Sequence, residues 1–247
     1  MTTVLKLGGS VITDKDRAET LDAPALDAAA DAVADAWDGG PDGLVLVHGG
    51  GSFGHHNAEE YGVSATEGTR DADAVAAIHG AMTALNRFVL SRLHERGVPA
   101  VPVHPLSAAH RDGEANLDLP TGQVATLLGE EFVPVLHGDV IAHVGAGATI
   151  VSGDELVVAL ARGVDADRVG VCSTVPGVLD ADDRVIPEIA SFGDVADVLG
   201  ASDATDVTGG MAGKVRTLSD LPVPASIFGP DDLAAFLDGD RPGTTIR

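Results

Sequence analysis

The fold of this chain is decided by one stretch, Val47-His48-Gly49-Gly50-Gly51-Ser52-Phe53-Gly54-His55-His56. An apolar run at residues 44–47 leads into three consecutive glycines, and a fourth glycine stands at position 54. Glycine tolerates positive φ angles and lets backbone N–H groups approach a ligand closely, and an array of N–H groups binds phosphate oxygens. The stretch therefore favours a loop that holds a phosphorylated or otherwise anionic substrate. A tight turn between a strand and a helix is the alternative.

The overall charge narrows the classes of molecule that the protein can bind. The 247 residues allow one large α/β domain or two small ones, and a hydrophobic content of 45% suffices for a sizeable core. The 38 acidic residues outnumber the 15 basic ones, which gives a formal net charge of −23. Nucleic acids and anionic membranes are disfavoured as partners, because both require a cationic protein surface. The acidic residues are scattered through every segment, which indicates a halophilic, archaeal protein adapted to molar salt, where the Debye length is ~3 Å.

The single cysteine, Cys172, lies in an apolar run and is expected to be a small buried side chain. One cysteine cannot form a disulfide within the chain, which fits a reducing compartment. The N-terminus has no signal-peptide pattern, and no apolar run approaches the ~20 residues of a membrane-spanning helix. We therefore expect a cytoplasmic protein.

Lysine is almost absent from the chain, and its remaining positions are informative. Only Lys6, Lys15 and Lys214 occur, against twelve arginines, and all three lie in or beside glycine-rich segments. A compact, flexible ammonium group suits the stabilisation of a moving phosphoryl group. The three lysines are therefore candidates for phosphate chemistry. The surrounding sequence fits neither the Walker pattern nor the G-x-G-x-x-G dinucleotide fingerprint.

Strand and helix patterns alternate along the chain. The predicted strands are residues 3–7, 44–48, 100–104, 132–136, 168–172, 225–228 and, at a sheet edge, 243–246. The predicted helices are residues 22–38, 71–96, 123–128, 155–162, 192–199, a segment that follows the loop 208–214 and ends near 218, and 231–237. Residues 138–152 predict a hairpin with its turn near 145–147, residues 57–70 a mobile cover, and residues 105–122 an irregular segment. The pattern predicts one domain, a three-layer αβα sandwich with a largely parallel central sheet.

The ordered set of glycine motifs resembles the amino acid kinase superfamily over nearly the whole chain. The matching segments are residues 6–10 (KLGGS), 48–51 (HGGG), 152–154 (SGD), 175–178 (VPGV), 208–211 (TGGM) with Lys214, and 243–244 (GT). Within that superfamily, the sequence is most similar to the isopentenyl phosphate kinase family. The discriminating segments are residues 11–15 (VITDK), 52–55 (SFGH) and 206–211 (DVTGGM).

The resemblance implies the amino acid kinase fold and the ATP-dependent phosphorylation of isopentenyl phosphate to isopentenyl diphosphate in archaeal isoprenoid biosynthesis. Mg²⁺ is expected to bridge ATP oxygens with few or no protein ligands. A phosphate monoester has a second pKa near 6, so the acceptor is already a deprotonated nucleophile at neutral pH and requires no general base. The resemblance also implies a homodimer, with residues 1–150 binding the acceptor and residues 151–247 binding ATP.

The resemblance also implies roles for individual residues. Lys6 and Lys214 hold ATP phosphates, Lys15 stabilises the transferring phosphoryl group, and Asp154 orients the lysines without binding metal. The expected ATP contacts also include Leu7, Gly8, Gly9, Ser10, Gly51 and Gly210, with Ser173, Thr174, Val175, Pro176, Gly177 and Val178 beside the adenine and ribose. The expected contacts to the acceptor phosphate are Gly50, His55 and Gly153. Apart from the resemblance, His48 is expected to orient the loop, and His79, Met82 and Phe88 are candidates for the wall of the acceptor pocket, because the predicted helix 71–96 follows the substrate loop.

Two other functions stay open. A related kinase acting on UMP, N-acetylglutamate or a phosphonate has the same glycine loops, although a carboxylate acceptor favours Arg or Asn in place of His55. A non-catalytic nucleotide-binding protein on the same fold is the second alternative, since a fold does not fix a function. Retention of all three lysines in a chain so poor in lysine argues against a protein without catalysis.

Overall fold

The computed structural model describes residues 1–38, 43–199 and 210–247. Residues 39–41 (GGP), whose composition predicts the end of the helix 22–38, and residues 206–209 of the DVTGGM segment lie outside the described residues. The strands are β1 (Thr2–Leu7), β2 (Gly43–His48), β3 (Ala100–Pro102), β4 (His110–Arg111), β5 (Leu117–Asp118), β6 (Val133–His137), β7 (Asp139–His143), β8 (Gly147–Val151), β9 (Arg168–Cys172), β10 (Glu188–Ile189), β11 (Ala225–Phe228) and β12 (Thr244–Ile246).

The α-helices confirm most of the predicted positions. They are α1 (Gly9–Ile12), α2 (Ala23–Asp38), α3 (Gly51–Glu60), α4 (Ala72–His94), α5 (Pro105–Ala108), α6 (Gly122–Gly129), α7 (Gly153–Gly163), α8 (Ala196–Leu199), α9 (Gly210–Leu218) and α10 (Leu233–Leu237). Local capping explains two of the long helices. Asp22 accepts a hydrogen bond from the backbone N–H of Ala25 at the start of α2, and Asp71 accepts one from Asp73 N at the start of α4.

The central sheet is largely parallel, as predicted. Among the described residues it has eight strands in the order β10-β12-β11-β9-β1-β2-β6-β3, and only the β11–β12 pair is antiparallel. Strand β1 lies between β9 and β2, with both neighbours parallel to it. The prediction that residues 243–246 form an edge strand is wrong, because the two-residue strand β10 pairs with the outer side of β12. A two-residue strand leaves no periodic pattern by which the sequence could reveal it.

Helices cover both faces of this sheet and produce the three layers. Along β1, the side chain of Val4 belongs to one apolar cluster, while those of Leu5 and Leu7 belong to another. Successive side chains of a strand point to opposite faces, so the two clusters are the two sides of the sheet. The first cluster includes residues of α7 and α9, and the second includes residues of α2, α4 and α10.

A second, four-stranded sheet lies beside the main one, in the order β5-β4-β7-β8. It contains the predicted hairpin, in which β7 and β8 pair antiparallel on either side of residues 144–146. The segment 105–122, predicted to be irregular, instead contributes α5, β4 and β5. The helices that the structure describes include none with the length and apolar character needed to cross a membrane.

Candidate active site

The carboxyl ends of the central parallel strands bring the predicted glycine motifs together. The register aligns Leu7 with His48 on one side and with Cys172 on the other. Gly8 N donates to the carbonyl oxygen of Cys172 over 2.9 Å, and Gly49 N donates to that of Leu7 over 2.9 Å. Ligands of open α/β sheets bind at this edge, where the strands end and the helices begin. The buried side chain of Leu7 belongs to the core, so its backbone is the part that reaches the site.

The first two glycine turns touch each other backbone to backbone. A Cβ atom added to Gly9 would lie 2.0 Å from Gly51 N, and one added to Gly49 would lie 2.5 Å from Gly9 N. Gly51 also has a positive φ of 49°, which side chains rarely adopt. Thr13 Oγ1 donates to the carbonyl oxygen of Gly9 over 2.9 Å and accepts from Ser52 N over 3.0 Å. Close packing therefore accounts for these glycines, and Thr13 joins the two turns.

Residues 47–56, the stretch that favours an anion-binding loop, are helical for more than half their length. Residues 51–56, interpreted from the sequence as part of a loop, lie in α3, and the same helix includes residues 57–60 of the segment predicted as a mobile cover. The N-terminus of a helix leaves backbone N–H groups without internal partners, and these attract anions. Both His55 and His56 are exposed, and a Cβ added to Gly50 would lie 3.5 Å from Cδ2 of His55. The structure therefore places His55 beside Gly50 at the start of this helix.

Two of the three lysines meet on one carboxylate. Lys6 Nζ lies 2.7 Å from Oδ1 of Asp154, and Lys214 Nζ lies 2.9 Å from Oδ2. The side chains are largely buried, with exposed fractions of 8% for Lys6 and 15% for each of the other two. The group carries one net positive charge when both lysines are protonated. Charged groups in such a poorly hydrated position interact strongly with an anionic ligand.

The environment of this triad alters its protonation. Burial lowers the pKa of Lys6 to about 8, although the neighbouring Asp154 carboxylate opposes the shift and the Lys214 ammonium reinforces it. Burial alone would raise the pKa of Asp154, but the charges of Lys6 and Lys214 outweigh it and hold that pKa well below its ordinary value. Asp154 is therefore ionised at neutral pH, and Lys6 begins to lose its proton in the mildly alkaline range.

Helix α7 begins directly at this triad. Ser152 caps the helix by accepting a hydrogen bond from Glu155 N, and the Glu155 carboxylate accepts one from Ser152 N in return. A Cβ added to Gly153 would lie 2.9 Å from Cε of Lys6, so the lysine stem passes over this glycine. Arg111, on strand β4 of the second sheet, donates from Nη2 to Glu155 Oε1 over 2.7 Å. This hydrogen bond links the start of α7 to that sheet.

Gly138, which sequence analysis did not single out, lies where two of the expected acceptor contacts meet. A Cβ atom added to Gly138 would lie 3.7 Å from Gly153 N and 3.9 Å from Gly50 N. Two helix N-termini, those of α3 and α7, therefore converge at this glycine. The signal in the sequence is the His-Gly pair at residues 137–138, which repeats the His-Gly pair at 48–49 at the end of the neighbouring strand.

Lys15 lines a cavity of about 740 Å³. Ser10 and Thr174, both expected to contact the nucleotide, line the same cavity, together with residues at the start of α2. Lys15 itself is exposed. Further along the 173–178 loop, Gly177 and Val178 are buried, and Val178 N donates to Oγ1 of Thr244 over 2.8 Å. Thr174 and Pro176 are exposed, Ser173 and Val175 are half-buried, and the last two residues of the loop pack on β12.

Four further predicted positions are two glycines expected to contact ATP, Gly8 and Gly210, and two candidates for the acceptor-pocket wall, Met82 and Phe88. Gly8 is the residue before α1, with Cys172 O 3.0 Å from its hypothetical Cβ, and Gly210 begins α9 with a φ of 54°. Met82 is buried against Gly54 of α3, as its Sδ atom would lie 2.8 Å from a Cβ there. Phe88 is 43% exposed, so the structure does not support it as part of a pocket wall.

Four histidines form a cluster behind the glycine turns. The ring centroid of His137 lies 5.4 Å from that of His48 and 5.3 Å from that of His104. The ring centroid of His79 lies 5.6 Å from that of His104. His48 Nδ1 approaches the carbonyl oxygen of Gly49 at 3.2 Å, which fits its expected role in orienting the turn. Burial lowers the pKa of His48 to about 4, so this ring is neutral at pH 7.

Asp139 completes the histidine cluster from strand β7. Its buried carboxylate lies 2.8 and 3.1 Å from Nδ1 of His79, and this hydrogen bond raises the pKa of that histidine. Burial, together with the neighbouring imidazoles, lowers the pKa of His137 well below its ordinary value. Among the described residues, no group of three or more His, Cys, Asp and Glu side chains has the geometry of a metal site. His48 and His137 each approach the backbone carbonyl oxygen of the following glycine, at 3.2 and 2.9 Å, so the cluster supports the turns at Gly49 and Gly138.

Comparisons with known proteins agree with this geometry. Residues 1–221 match the model of the Amino acid kinase family. The chain is 63% identical to the isopentenyl phosphate kinase of Haloferax volcanii over an alignment of 244 residues. This alignment covers 99% of this chain and 98% of that protein. It is 34% identical to the isopentenyl phosphate kinase of Methanothermobacter thermautotrophicus, over 87% of this chain and 85% of that one.

A solved structure confirms the predicted fold class. An X-ray structure of isopentenyl phosphate kinase superposes on the whole of this chain with a TM-score of 0.85, at 28% sequence identity and with full coverage of both chains. The predicted kinase class is confirmed as well, since the relatives that match over most of the chain are phosphotransferases. The chain therefore belongs to the amino acid kinase family and, within it, to the isopentenyl phosphate kinases.

Proposed function

We propose that the protein transfers the γ-phosphoryl group of ATP to isopentenyl phosphate and releases isopentenyl diphosphate and ADP. The observation that carries the proposal is the bridge from Asp154 to Lys6 and Lys214 at the carboxyl edge of the sheet. The 63% identity to the Haloferax volcanii isopentenyl phosphate kinase supports the choice of acceptor. An oxygen of the acceptor phosphate attacks the γ-phosphorus, and the bond to the β–γ bridging oxygen breaks as ADP leaves.

The lysines neutralise the charge that this transfer moves. Phosphoryl transfer depends on positioning and charge neutralisation more than on covalent help from the protein. Lys6 and Lys214, held by Asp154, would face the phosphates of ATP and stabilise the developing charge on the bridging oxygen. Lys15, exposed at the cavity that Ser10 and Thr174 also line, would follow the transferring phosphoryl group.

The acceptor phosphate would lie at the convergence of α3 and α7. Gly50 N and Gly153 N both lie near Gly138, and His55 stands beside Gly50. Backbone N–H groups at helix N-termini and an imidazole are suitable donors to phosphate oxygens. Because the acceptor phosphate is a deprotonated nucleophile near neutral pH, the residues need to bind and orient it rather than remove a proton.

Backbone groups would hold the nucleotide. We assign the ATP contacts to the first glycine turn, the start of α3, the start of α9 and the loop after β9, that is, to Leu7, Gly8, Gly9, Ser10, Gly51, Gly210, Ser173, Thr174, Val175, Pro176, Gly177 and Val178. The buried Gly177 and Val178 would act by shaping the loop. In this proposal, residues 1–150 chiefly bind the acceptor and residues 151–247 chiefly bind ATP.

Mg²⁺ is proposed as the accompanying metal ion. The triad offers two ammonium groups and one carboxylate that is already paired, so the protein supplies few ligands and ATP oxygens would hold the ion. The ion supplies charge neutralisation across the phosphate oxygens when bound. A homodimer, molar-salt adaptation and a cytoplasmic location stay predictions from the resemblance, the charge of −23 and the single cysteine.

The test is ADP release in molar KCl with Mg²⁺ and ATP. Isopentenyl phosphate, dimethylallyl phosphate, UMP and N-acetylglutamate are compared as acceptors at equal concentration. We expect strong preference for the two short prenyl phosphates. Turnover with UMP or N-acetylglutamate alone would overturn the proposed acceptor. If folded protein that binds ATP turns over none of the four, the result would overturn the proposed acceptor and favour a non-catalytic nucleotide-binding role.

A further inference from the structure

Lys15 lies on an arm that is closed at its base. The arm comprises residues 14–20, between α1 and α2. Asp14 N donates to the carbonyl oxygen of Thr20 over 2.9 Å, and Thr13 and Leu21 form an antiparallel bridge just outside it. These contacts define where the arm begins and ends, but they do not determine where its tip, with Lys15 and Arg17, lies relative to the rest of the site.

Ser52, in the first turn of α3, forms hydrogen bonds with the C-terminal end of this arm. Its hydroxyl donates to the carbonyl oxygen of Thr20 over 3.1 Å and accepts from Thr20 N over 3.2 Å. Its own carbonyl oxygen accepts from Glu19 N over 3.2 Å. Ser52 is buried, so water competes little for these hydrogen bonds. Three hydrogen bonds thus join one helix residue to two adjacent arm residues.

Asn57, one to two turns later on α3, provides a second hydrogen-bonded contact between this helix and the arm. Its Nδ2 group donates to Oε1 of Glu19 and to the carbonyl oxygen of Phe53, each over 2.8 Å. Glu19 has a φ of 46°, a left-handed conformation that is uncommon for a residue other than glycine. Such conformations persist where the surrounding contacts over-determine them. The backbone and side chain of Glu19 are both bonded to α3, which provides that constraint.

We infer that Glu19, Ser52 and Asn57 are positioning residues that fix the Lys15 arm to helix α3. The same helix carries His55 and begins at Gly51, next to the expected acceptor contact Gly50. The arm that contains Lys15, the lysine proposed for the transferring phosphoryl group, is therefore anchored to the helix that we assign to acceptor binding. The Lys6–Asp154–Lys214 triad is built separately, from β1, α7 and α9. This inference rests on the proposed function for its catalytic consequence, but the anchoring itself does not.

A double-mutant cycle tests the catalytic consequence. Glu19→Ala and Ser52→Ala are prepared in the native sequence and in Lys15→Ala, with Glu19→Gln as the conservative variant, because an amide oxygen still accepts from Asn57. Small displacements of a catalytic group cost large factors in rate, so we expect each alanine variant to lower kcat about tenfold, with KM values changed less than about twofold. In Lys15→Ala, the same substitutions should lower kcat less than about twofold further, because coupled residues are not additive. Glu19→Gln should restore most of the lost rate.

Cleavage by trypsin tests the anchoring without any substrate. The arm contains Arg17, which is exposed, and the bond to Ala18 is a site for trypsin. We expect cleavage after Arg17 to be about tenfold faster in Glu19→Ala and Ser52→Ala than in the wild type, since the loosened arm opens more often. The matched control is Glu60→Ala, which removes a largely exposed carboxylate from the same helix. It should leave the cleavage rate and kcat unchanged, and melting curves verify that each variant is folded.

The outcomes separate the inference from the proposed function. Equal losses of kcat with and without Lys15 would overturn the positioning role, because the contacts would then serve only to stabilise α3. Cleavage rates equal to those of the wild type and of Glu60→Ala would overturn the anchoring. Failure of the wild type to use isopentenyl phosphate would overturn the proposed acceptor alone, and the cleavage rates would still decide whether α3 holds the arm.

Discussion

Oδ1 of Asp154 lies 2.7 Å from Nζ of Lys6, although the two residues are 148 positions apart in the chain. The other carboxylate oxygen holds Lys214 at 2.9 Å. Asp154 therefore keeps two ammonium groups close together in a poorly hydrated place, where they would otherwise repel each other. We expect Asp154→Asn to lower kcat/KM for ATP by roughly 10²-fold, because removing one partner of a buried ion pair leaves uncompensated charge.

The control for Asp154→Asn is Asp182→Asn. The side chain of Asp182 is 73% exposed and contacts only Arg184 among the ion pairs of the described residues, so its neutralisation should leave kcat/KM within about twofold of the wild type. The two variants change the formal charge by the same amount. Steady-state ADP release at saturating acceptor measures both. A loss of less than about fivefold in Asp154→Asn would contradict an organising role for this carboxylate.

The pKa of Lys6 predicts a pH dependence for nucleotide use. Burial lowers that pKa to about 8, so Lys6 carries its charge below pH 8 and loses it progressively above. We therefore expect kcat/KM for ATP to be level below about pH 7, to be roughly halved near pH 8 and to fall toward tenfold per pH unit at higher pH. In Asp154→Asn the fall should begin at lower pH, because the Asp154 charge raises the pKa of Lys6. A level profile to pH 9.5 would show that Lys6 is not needed in its charged form.

Contact between the glycine turns predicts that Gly9→Ala is severely damaging. The new Cβ would lie 2.0 Å from Gly51 N, and both partners are backbone atoms that cannot move without separating the turns. We expect kcat to fall by 10²-fold or more, since small misplacements of the reacting groups are costly. The control is Gly80→Ala in α4, where a Cβ meets nothing within 4 Å and alanine should stabilise the helix by about 1 kcal/mol.

Melting temperature and ADP release together check the glycine prediction. Gly80→Ala should keep wild-type activity and melt at the same or a higher temperature. Gly9→Ala should lose activity even at temperatures where it is fully folded. If Gly9→Ala retained more than half of the wild-type kcat, the two turns would have to be mobile enough to part without consequence.

The sequence predicted the ends of the strands well and the partners of the site residues poorly. Strands such as β1 and β9 contain several apolar residues and are followed directly by glycine or serine, so their ends and the loops after them are local features. The Lys6–Asp154 contact is not local. Any of 38 acidic residues could have met the lysine, and only the resemblance to a family pointed to Asp154. Pairing across parallel strands places distant residues together, and no single-sequence pattern encodes it.

Helix α3 was missed for a related reason. Its sequence opens with Gly51 and includes Gly54, and glycine is unfavourable inside helices by about 1 kcal/mol relative to alanine. Tertiary packing decides these positions, because Gly51 touches Gly9 and Gly54 touches Met82. The anchors Ser52 and Asn57 were overlooked with the helix. Their spacing carries no helical signal, and only the structure shows that both side chains reach the same arm.

His55 is the residue that most directly tests where the acceptor binds, and its neighbour offers a matched control. His55 and His56 are both exposed on α3, but His55 lies beside Gly50, whereas His56 is 4.0 Å from Glu60 on the same helix. We expect His55→Ala to raise the KM for isopentenyl phosphate and lower kcat/KM for it by roughly 10- to 100-fold, because a donor to a phosphate oxygen is lost. The KM for ATP should change less than about threefold.

His56→Ala should leave all of these constants within about twofold of the wild type, since a solvent-exposed pair at 4.0 Å contributes little. His55→Gln is the informative intermediate, because an amide still donates a hydrogen bond but cannot carry a positive charge. Recovery of most of the acceptor KM in His55→Gln would assign the histidine to hydrogen bonding, and no recovery would assign it to charge. Equal effects of the substitutions at positions 55 and 56 would contradict an acceptor site at the start of α3, since only His55 lies next to Gly50.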